Sequence, residues 1–504
     1  MATPTYLLRD PRVADSRHTN TGEVPVRSLD RINLGGEWVV PHGTELATLF
    51  DPRDGEPSTV VRHADEVDAH QAVAIAREVF DGGAQWRLLE RLQALGDLAD
   101  IVEGRSEEFA DAISAEMGAP STFARHGQVA VAVNTLRALV DAAREYRFEQ
   151  PVGDSLAVAE PAGVAVAITP WNYPLHQALG KLGAALACGC PVILKPAEAT
   201  PVSAYKLADA MRDAGIPDGW YSVLAGRGDV VGAALVESPE VDVISFTGST
   251  AVGRRIAATA GGSLKRVALE LGGKSPSVLL DDLDDEAFAS AVRTSLGFCM
   301  MNAGQTCAAW TRLVVPERRY AETAGLAAEV AAGYVAGENL GPMVSAAHWD
   351  RVASYVRVGV DEGAELIYGD AEPSRTERGY YFRPVVFGRV TERMRIGREE
   401  IFGPVLSVQT HVGDDDAVRI ANSTDYGLGG AVFGTDPARA YAVARRIRSG
   451  SVHINGLNGN RNAPFGGFKQ SGIGREFGHW GLEEFLEVKS VQPPPGFVVP
   501  AVST

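Results

Sequence analysis

The chain has 504 residues, more than one hydrophobic core ordinarily holds, so at least two large structural units are expected. A composition of 45% hydrophobic and 22% charged residues is typical of globular proteins and excludes a fibrous or disordered chain. The formal net charge of -17 comes from acidic residues scattered along the chain, which disfavours nucleic acid and anionic membranes as partners.

Cysteine content and hydropathy narrow the class of protein further. Four cysteines in the whole chain make no disulfide framework, and no histidine-rich cluster completes a metal site, so no metal is expected. The N-terminus lacks the pattern of a signal peptide, and no run of about 18 apolar residues occurs. We therefore expect a cytoplasmic protein with reduced thiols that does not span a membrane.

The N-terminal part of the chain combines an irregular segment with helices. Residues 1–30 show no periodicity and predict a poorly structured arm. Residues 32–40 resemble a short β-hairpin. Between residues 64 and 116 the apolar side chains recur at helical spacing, which predicts amphipathic helices.

Beyond residue 158, short β-branched runs alternate with helical stretches. The predicted elements of this part are strand 163–168, helix 175–187, strand 191–195, helix 202–214, strand 221–224 and strand 241–246. Strands separated by crossover helices form a parallel, doubly wound sheet, whose ligands bind at the carboxyl ends of the strands. Functional residues are therefore expected in the strand-to-helix turns.

A second α/β region follows between residues 271 and 483. Its predicted elements are strands 277–280, 312–315 and 405–408 and helices 286–296, 345–361 and 438–448. No internal repeat or low-complexity linker separates the two regions. We therefore expect two tightly packed domains with an active site between them.

Two segments carry residues suited to covalent catalysis. Residues 302–307 place Cys307 after a Gly-Gln turn, where an activating environment would make it a nucleophile; a buried structural cysteine is the alternative. Residues 270–276 place Glu270 at the end of an apolar run, before a tight glycine pair. A carboxyl group that loses hydration there gains a higher pKa and becomes a general base, whereas a surface glutamate at a turn is the alternative.

A third segment follows the predicted strand 163–168. Residues 169–174 read Thr-Pro-Trp-Asn-Tyr-Pro, in which two prolines fix the backbone and Asn172 can aim an amide N–H into the cleft. One such donor contributes roughly 3 kcal/mol to an oxyanion-forming transition state. An ordinary turn asparagine is the alternative.

Four further motifs accompany these three. They are Lys-Pro-Ala-Glu at 195–198, Phe-Thr-Gly-Ser-Thr at 246–250, Glu-Glu-Ile-Phe-Gly-Pro at 399–404 and Pro-Phe-Gly-Gly-Phe-Lys at 464–469. In order and spacing the seven motifs resemble those of the aldehyde dehydrogenase superfamily, and the resemblance covers residues 32 to 492. Because seven motifs coincide in one order, we favour the catalytic interpretation of each.

The resemblance implies a reaction and the residues that carry it. An NAD-dependent enzyme of this type oxidises a small-molecule aldehyde to a carboxylic acid through a thiohemiacetal and a thioester on Cys307. Asn172 and the Cys307 backbone N–H form the oxyanion hole, and Glu270 activates the hydrolytic water. Lys181, about two turns beyond Asn172, is expected to help relay the proton.

The resemblance also implies an NAD site. The phosphate turn departs from the usual G-x-G-x-x-G pattern, but its glycines still allow a pyrophosphate to approach a helix N-terminus. Glu198 accepts a ribose 2'-hydroxyl and repels a 2'-phosphate, so NAD is preferred over NADP. The implied cofactor-binding residues are Trp171, Lys195, Glu198, Gly248, Ser249, Gly253, Leu271, Glu400 and Phe402.

The substrate pocket is less well defined by the sequence. Met300 and Met301 stand beside the nucleophile and make an adaptable apolar pocket, although ordinary core packing is an equal alternative. Tyr173 and Phe465 are the aromatic candidates. Arg461, in an unusually polar loop, is a hypothetical site for a carboxylate-bearing or polar aldehyde, with a simple solvated loop as the alternative.

The fold class that follows is α/β, with a doubly wound parallel-sheet cofactor domain, an α/β catalytic domain and a small oligomerisation β-extension. The expected boundaries are arm 1–30, NAD-binding domain 31–145 and 161–270, catalytic domain 271–481, and extension 146–160 and 482–504. Edge strands in the extension imply a homodimer or homotetramer. The functional alternatives are a CoA-acylating semialdehyde dehydrogenase, which Glu270 disfavours, and a non-catalytic binding protein on the same fold.

Overall fold

The computed structural model describes residues 26–83, 86–376, 378–457 and 459–494. Most of the predicted arm 1–30 and the end of the predicted extension therefore lie outside the described residues. The described strands are β1 Arg27–Leu29, β2 Ile32–Leu34, β3 Glu37–Val39, β4 Leu46–Phe50, β5 Pro57–Arg62, β6 Glu149–Val152, β7 Ser155–Pro161, β8 Ala165–Ile168, β9 Val192–Lys195, β10 Tyr221–Val223, β11 Val243–Thr247, β12 Arg266–Glu270, β13 Pro276–Leu279, β14 Arg312–Pro316, β15 Glu365–Tyr368, β16 Val385–Gly388, β17 Val405–His411, β18 Ala431–Phe433, β19 His453–Ile454, β20 Gly472–Ile473 and β21 Leu486–Val491.

The helices surround these strands on both sides. They are α1 Glu66–Asp81, α2 Leu88–Gly104, α3 Ser106–Met117, α4 Ser121–Phe123, α5 Ala130–Glu145, α6 Pro174–Cys188, α7 Pro201–Asp213, α8 Ala233–Glu237, α9 Thr250–Gly261, α10 Asp285–Met300, α11 Tyr320–Ala332, α12 Ala346–Asp361, α13 Arg395–Arg398, α14 Asp414–Ala421, α15 Pro437–Ala444 and α16 Gly478–Glu483. None of the helices in the described part of the chain is long and apolar enough to cross a membrane.

The first large sheet has eight strands in the order β20-β12-β11-β8-β9-β10-β2-β3. Its five central strands run parallel, and β20 and the β2–β3 hairpin pair antiparallel at the two sides. The helices α6, α7 and α9 each cross from one parallel strand to another, as the sequence predicts for a doubly wound sheet. The carboxyl ends of β8, β9, β11 and β12 lead directly into the predicted functional turns.

Burial on both faces explains why these strands are continuous apolar runs. All four residues of β9 and all five of β11 are buried. A buried valine, leucine or isoleucine side chain contributes about 1.5–3 kcal/mol relative to its exposed state. Parallel strands covered by helices on both faces therefore need no alternation of apolar and polar residues.

The second large sheet has seven strands in the order β15-β16-β17-β14-β13-β18-β19, all parallel except for β15. Two smaller sheets complete the fold, one of order β1-β5-β4 and an antiparallel one of order β21-β7-β6. The second small sheet joins a strand pair from before β8 to a strand near the C-terminus, in the positions expected for the extension.

Several element boundaries differ from the sequence predictions. The strand β1 lies within the segment predicted as an arm and pairs with β5. The helix predicted over 438–448 ends at Ala444, although Ile447 is still buried from the turn that follows. The stretch predicted as a strand from residue 482 begins as the last turn of α16. The strand β20 returns from the second α/β region to pair with β12 of the first sheet.

Candidate active site

Cys307 follows a strained turn after α10. Asn302, Ala303 and Gly304 have φ of 53°, 56° and 74°, a left-handed run that the surrounding packing has to hold in place. A Cβ atom at Gly273 would lie 2.3 Å from the Cys307 carbonyl oxygen, so the backbone beside the nucleophile is packed against the Gly272–Gly273 pair. The nucleophile loop is therefore fixed from two directions.

Asn172 faces this loop from the end of β8. Its buried amide nitrogen Nδ2 donates to the Gln305 carbonyl at 2.9 Å, and Asn302 Nδ2 donates in return to the Asn172 carbonyl at 3.1 Å. These reciprocal bonds hold the predicted oxyanion donor against the loop of Cys307. An amide nitrogen carries two hydrogens, so one N–H of Asn172 is committed to the loop and a second remains.

Glu270 ends β12 and is 4% exposed. Neither carboxyl oxygen has a hydrogen-bond partner within the described residues. Burial raises the pKa of this carboxyl well above 4.5, and the negative charge of Glu476 raises it further. A buried carboxyl group with unused acceptors and a raised pKa is suited to take a proton from water near neutral pH.

Cys307 is only partly exposed. Its environment strongly disfavours the ionised form of the thiol. Burial raises its pKa to about 12, and the charges of Glu400 and Glu270 add to the effect. The thiol of the free protein is therefore protonated, and a base has to remove its proton before attack. Gly273, three residues after Glu270, packs against the Cys307 carbonyl, so the two predicted catalytic groups lie in one site.

Lys181 lies on α6 behind the predicted base and is fully buried. Its ammonium donates to Ser245 Oγ at 3.1 Å and forms an ion pair with Glu476. Glu476, which the sequence did not single out, pairs with Lys181 and raises the pKa of Glu270, whereas the charge of Lys181 lowers that pKa. The lysine is held at the site through this glutamate.

The phosphate turn lies at the N-terminus of α9. Ser249 caps this helix, with its Oγ accepting the Val252 N–H at 3.4 Å, and Gly248 N–H donates to the Glu270 carbonyl at 3.0 Å. A Cβ atom at Gly253 would lie 2.4 Å from Leu271 Cδ2. The absence of a side chain at Gly253 therefore lets the helix pack closely on Leu271, and the first turn keeps free N–H groups for an anion.

Lys195 and Glu198 follow β9 at the adjacent strand end. Burial lowers the pKa of Lys195 to about 8, and its Nζ donates to the Pro196 carbonyl at 3.1 Å. Glu198 is exposed, and its Oε1 accepts the Gly228 N–H at 2.8 Å. One carboxylate oxygen is thereby fixed while the group stays accessible.

Glu400 approaches the site from the second sheet. Its Oε1 accepts the Gly273 N–H at 2.9 Å, and burial raises its pKa to about 7. Phe402 has a left-handed backbone with φ of 66° and packs edge-on against Trp171, with ring centroids 5.5 Å apart. His348 of α12 completes this cluster, since its Nε2–H donates to the Phe402 carbonyl at 2.7 Å and its ring lies 5.3 Å from Trp171.

The candidate pocket residues divide into three groups. The Tyr173 hydroxyl lies 2.8 Å from Thr306 Oγ1, beside the nucleophile, and Phe465 and Met301 are partly exposed. Met300 is 1% exposed and packs in the core of the second sheet. Its environment is therefore the ordinary core packing that was the alternative to a pocket role. Arg461 is exposed, and its neighbour Asn462 packs against Gly478, the residue after Phe477.

The comparison with known proteins decides the family. The model of the aldehyde dehydrogenase family matches residues 38–491. A 3-succinoylsemialdehyde-pyridine dehydrogenase from a Pseudomonas species is 40% identical over 474 residues, which cover 92% of this chain and 99% of the relative. The chain belongs to the aldehyde dehydrogenase family.

Solved structures agree with this assignment of the dehydrogenase. Aldehyde dehydrogenase C of Pseudomonas syringae, a mutant solved with NAD+ and octanal, has a TM-score of 0.90 at 41% identity, over 93% of this chain and 98% of that chain. An aldehyde dehydrogenase of Mycobacterium tuberculosis, solved with NAD+, has a TM-score of 0.91 at 35% identity, over 94% and 100% of the two chains. The enzyme is an NAD-dependent oxidoreductase that acts on aldehydes.

The residues of this dehydrogenase fit the dinucleotide. Gly253 has no side chain, so the backbone there offers a close surface. The first turn of α9 offers N–H donors for an anion, and the accessible carboxylate of Glu198 offers an acceptor for a ribose hydroxyl. Glu400 and Phe402 stand on the opposite side, on the second sheet. When bound, NAD supplies the acceptor for the hydride that leaves the substrate.

Two residues at the site of the dehydrogenase had no signal in the sequence. His348 holds Phe402 and Trp171 in place, and burial lowers the pKa of its imidazole to about 4, so it is neutral. Glu476 forms an ion pair with Lys181, and its charge raises the pKa of Glu270. Neither belongs to one of the seven motifs, because each reaches the site only through the packing of α12 or of the segment before α16.

Proposed function

We propose that the dehydrogenase converts its aldehyde to a carboxylic acid through a thioester on Cys307. The thiol of Cys307 passes its proton to solvent water, and the sulfur attacks the aldehyde carbon while the carbonyl electron pair moves onto oxygen. The uncommitted N–H of Asn172 and the Cys307 backbone N–H stabilise that oxyanion. Loss of hydride from the resulting thiohemiacetal carbon leaves the thioester.

Hydrolysis of the thioester is assigned to Glu270. Its carboxylate takes a proton from water, the water oxygen bonds to the acyl carbon, and the carbon–sulfur bond breaks to release the acid and restore the cysteine. The single observation that supports this step best is a buried Glu270 whose two oxygens have no partner within the described residues. Glu476 and Lys181 then carry the proton away from Glu270.

We propose NAD rather than NADP as the preferred form of the cofactor. Glu198 is exposed, with one oxygen fixed by the Gly228 N–H. A carboxylate in that place accepts a hydroxyl group but repels a phosphate. Lys195, Ser249, Gly248, Gly253, Leu271, Trp171, Glu400 and Phe402 are proposed as the remaining cofactor contacts.

We propose an aldehyde with an extended apolar or aromatic body as the substrate. The relatives act on or bind 3-succinoylsemialdehyde-pyridine and octanal, which are both of this kind. Tyr173, Met301 and Phe465 supply apolar and aromatic surface beside Cys307. Arg461, which is exposed, is the proposed contact for a polar group, and Met300 acts only through the core.

We propose the domain boundaries given by the sequence, with 472–473 added to the NAD-binding domain because β20 pairs with β12. The β21-β7-β6 sheet is proposed as the surface through which the enzyme forms a homodimer or homotetramer. Four free thiols support a cytoplasmic location.

The test is the formation of NADH from NAD, or of NADPH from NADP, with octanal as substrate, in the wild type and in Cys307→Ala. We expect turnover with NAD, a kcat/KM for NADP lower by at least about tenfold, and no turnover in the variant. Analysis of the product distinguishes the acid from an acyl-CoA when CoA is added. Formation of a CoA thioester, or NADH formation by Cys307→Ala, would overturn the proposal.

A further inference from the structure

A row of aromatic rings starts beside the proposed nucleophile and continues along α6 to Phe477 and Phe465. Tyr173, whose hydroxyl contacts Thr306 beside Cys307, begins the row. The centroid separations along it are 6.3 Å for Phe123–Tyr173, 6.5 Å for Tyr173–His176, 5.6 Å for His176–Phe477 and 5.8 Å for Phe477–Phe465. All five rings are partly exposed.

One member of this row, Phe477, is held in a strained backbone conformation. Phe477 has a φ of 70°, which is unusual for a residue with a side chain. Its ring covers Gly180 of α6, where a Cβ atom would lie 3.5 Å from Phe477 Cε1. Because Gly180 is one turn beyond His176 on the same helix, the two aromatic side chains form one wall.

His176 brings unused hydrogen-bonding capacity into this wall. No hydrogen bond to its ring is found in the part of the chain that the structure describes. Burial lowers its pKa to about 4, Glu476 acts in the opposite direction, and Arg461 and Lys181 lower it further. The imidazole is therefore neutral, with one N–H to donate.

Arg461 is exposed and precedes Asn462, whose carbonyl oxygen packs against Gly478, where a Cβ atom would lie 2.3 Å from it. Gly478 follows Phe477, whose ring centroid lies 5.6 Å from that of His176, so Arg461 is on the segment packed beside the His176 wall. Across residues 26–83, 86–376, 378–457 and 459–494, no ion pair engages its guanidinium. We propose that His176 and Arg461 are specificity-determining residues, which together bind a carboxylate carried at the far end of a flat, apolar aldehyde. This inference rests on the proposed function, because the aldehyde group has to reach Cys307.

The chemistry of the two ends defines the substrate class. Aromatic walls favour a flat body, since rings pack edge-on or offset against one another. A guanidinium binds a carboxylate through two parallel hydrogen bonds, and the imidazole N–H adds a third donor. On a chain with a net charge of -17, the positive charge of Arg461 also offsets the repulsion of an anionic substrate.

The test compares 4-carboxybenzaldehyde with 4-methylbenzaldehyde, which differ in the proposed contact group and have similar shape. The ratio of their kcat/KM values is measured for the wild type, Arg461→Gln and His176→Phe, which keeps a ring but removes the N–H. Arg393→Gln, which removes an exposed arginine between β16 and α13, is the matched control. We expect the wild type to prefer the carboxylate by at least about tenfold, the effect of one hydrogen bond to a charged group.

The preference is expected to fall severalfold in both variants and to stay unchanged in Arg393→Gln. Because the imidazole is neutral, the ratio in the wild type is also expected to stay level between about pH 6 and about pH 9. A ratio near one in the wild type, or a ratio that neither variant changes, would overturn the inference. If the wild type oxidises octanal but neither of the two benzaldehydes, the inference is overturned while the proposed function stands.

Binding of the same pair to Cys307→Ala separates recognition from chemistry. Calorimetry on this variant is expected to show tighter binding of 4-carboxybenzaldehyde, and this preference is lost when Arg461→Gln is added. If no aldehyde forms NADH with the wild type but this binding preference is present, the proposed function fails and the recognition site stands. Equal binding of the two aldehydes contradicts the recognition site.

Discussion

At the scale of single residues, desolvation controls the ionisable groups of the active site. Burial raises the pKa of Cys307 to about 12 and that of Glu400 to about 7, and it holds the pKa of Glu270 well above 4.5. Each group is thereby kept in its neutral form more readily than in water. The nucleophile is thus unreactive until a base and a substrate are present.

The protonated thiol predicts how Cys307 reacts with iodoacetamide in the absence of NAD. The thiolate is the reactive form, so the alkylation rate should increase about tenfold per pH unit from about pH 6 to about pH 9. The measurement is the mass of the peptide that contains Cys307 as a function of time. Cys188, Cys190 and Cys299 are buried and serve as internal controls. A plateau near pH 7 would show that the thiol is activated before substrate binds.

The residues that the sequence identified share one property. Cys307, Glu270 and Asn172 each lie in a short motif next to a strand or helix end, and the structure brings all three together. His348 and Glu476 come from segments without such a motif, and only the tertiary packing brings them to the site. Met300 and Met301 are adjacent in sequence but end in different environments, because Met300 is the last residue of α10 and points into the core.

At the scale of secondary structure, apolar spacing predicted the existence of elements better than their ends. The helix α15 stops at Ala444, yet Ile447 continues the helical spacing because it packs into the core from a turn. Leu482, Phe485 and Leu486 are all buried, although the chain changes from helix to strand between them. Burial alone therefore cannot mark where one conformation gives way to the next.

The helix α7 depends on a buried carboxyl group from a neighbouring helix. Glu116 of α3 accepts the Val202 N–H and, at 3.2 Å, the Ser203 N–H at the start of α7. In Glu116→Ala these two donors lose their partner in the interior. We expect the free energy of unfolding to fall by about 1–3 kcal/mol, measured by urea denaturation. Wild-type stability in Glu116→Ala would show that water replaces the carboxyl group.

Glu116→Gln is the matched variant for pH dependence. Burial raises the pKa of Glu116 to about 7 from 4.5, so the folded state binds its proton more tightly than the unfolded state does. The stability of the wild type relative to Glu116→Gln should therefore decrease as the pH rises from about 4.5 to about 7, and then level off. A relative stability that increases over this range would contradict the raised pKa.

At the scale of the whole molecule, the proposed catalytic groups are held by two different parallel sheets. Glu270 is the last residue of β12 and Asn172 follows β8 in the first sheet, and Cys307 and Glu400 lie between elements of the second. The sequence predicted this division from the alternation of strands and helices. It did not predict that β20 returns to the first sheet, because a two-residue strand has no periodicity.

The small β21-β7-β6 sheet leads to a prediction about assembly. Val488 on β21 and Val152 on β6 are 65% and 62% exposed, and β21 is an edge strand. Exposed apolar edges pair with another chain or promote aggregation. We expect light scattering to show a dimer or tetramer, which Val488→Asp shifts toward the monomer. Val412→Asp, at a site 79% exposed outside this sheet, should leave the mass unchanged. A monomeric wild type would refute the proposed assembly.

The most direct test of the proposed reaction is to trap the thioester. Glu270→Gln keeps the shape of the side chain but removes the base, so hydrolysis should slow by roughly 100-fold or more while the earlier steps continue. After mixing with NAD and octanal, this variant should form about one NADH per active site in a burst, and mass spectrometry should find one octanoyl group on the peptide that contains Cys307. Full steady-state turnover by Glu270→Gln, or a burst of NADH with no acyl group on Cys307, would contradict the mechanism.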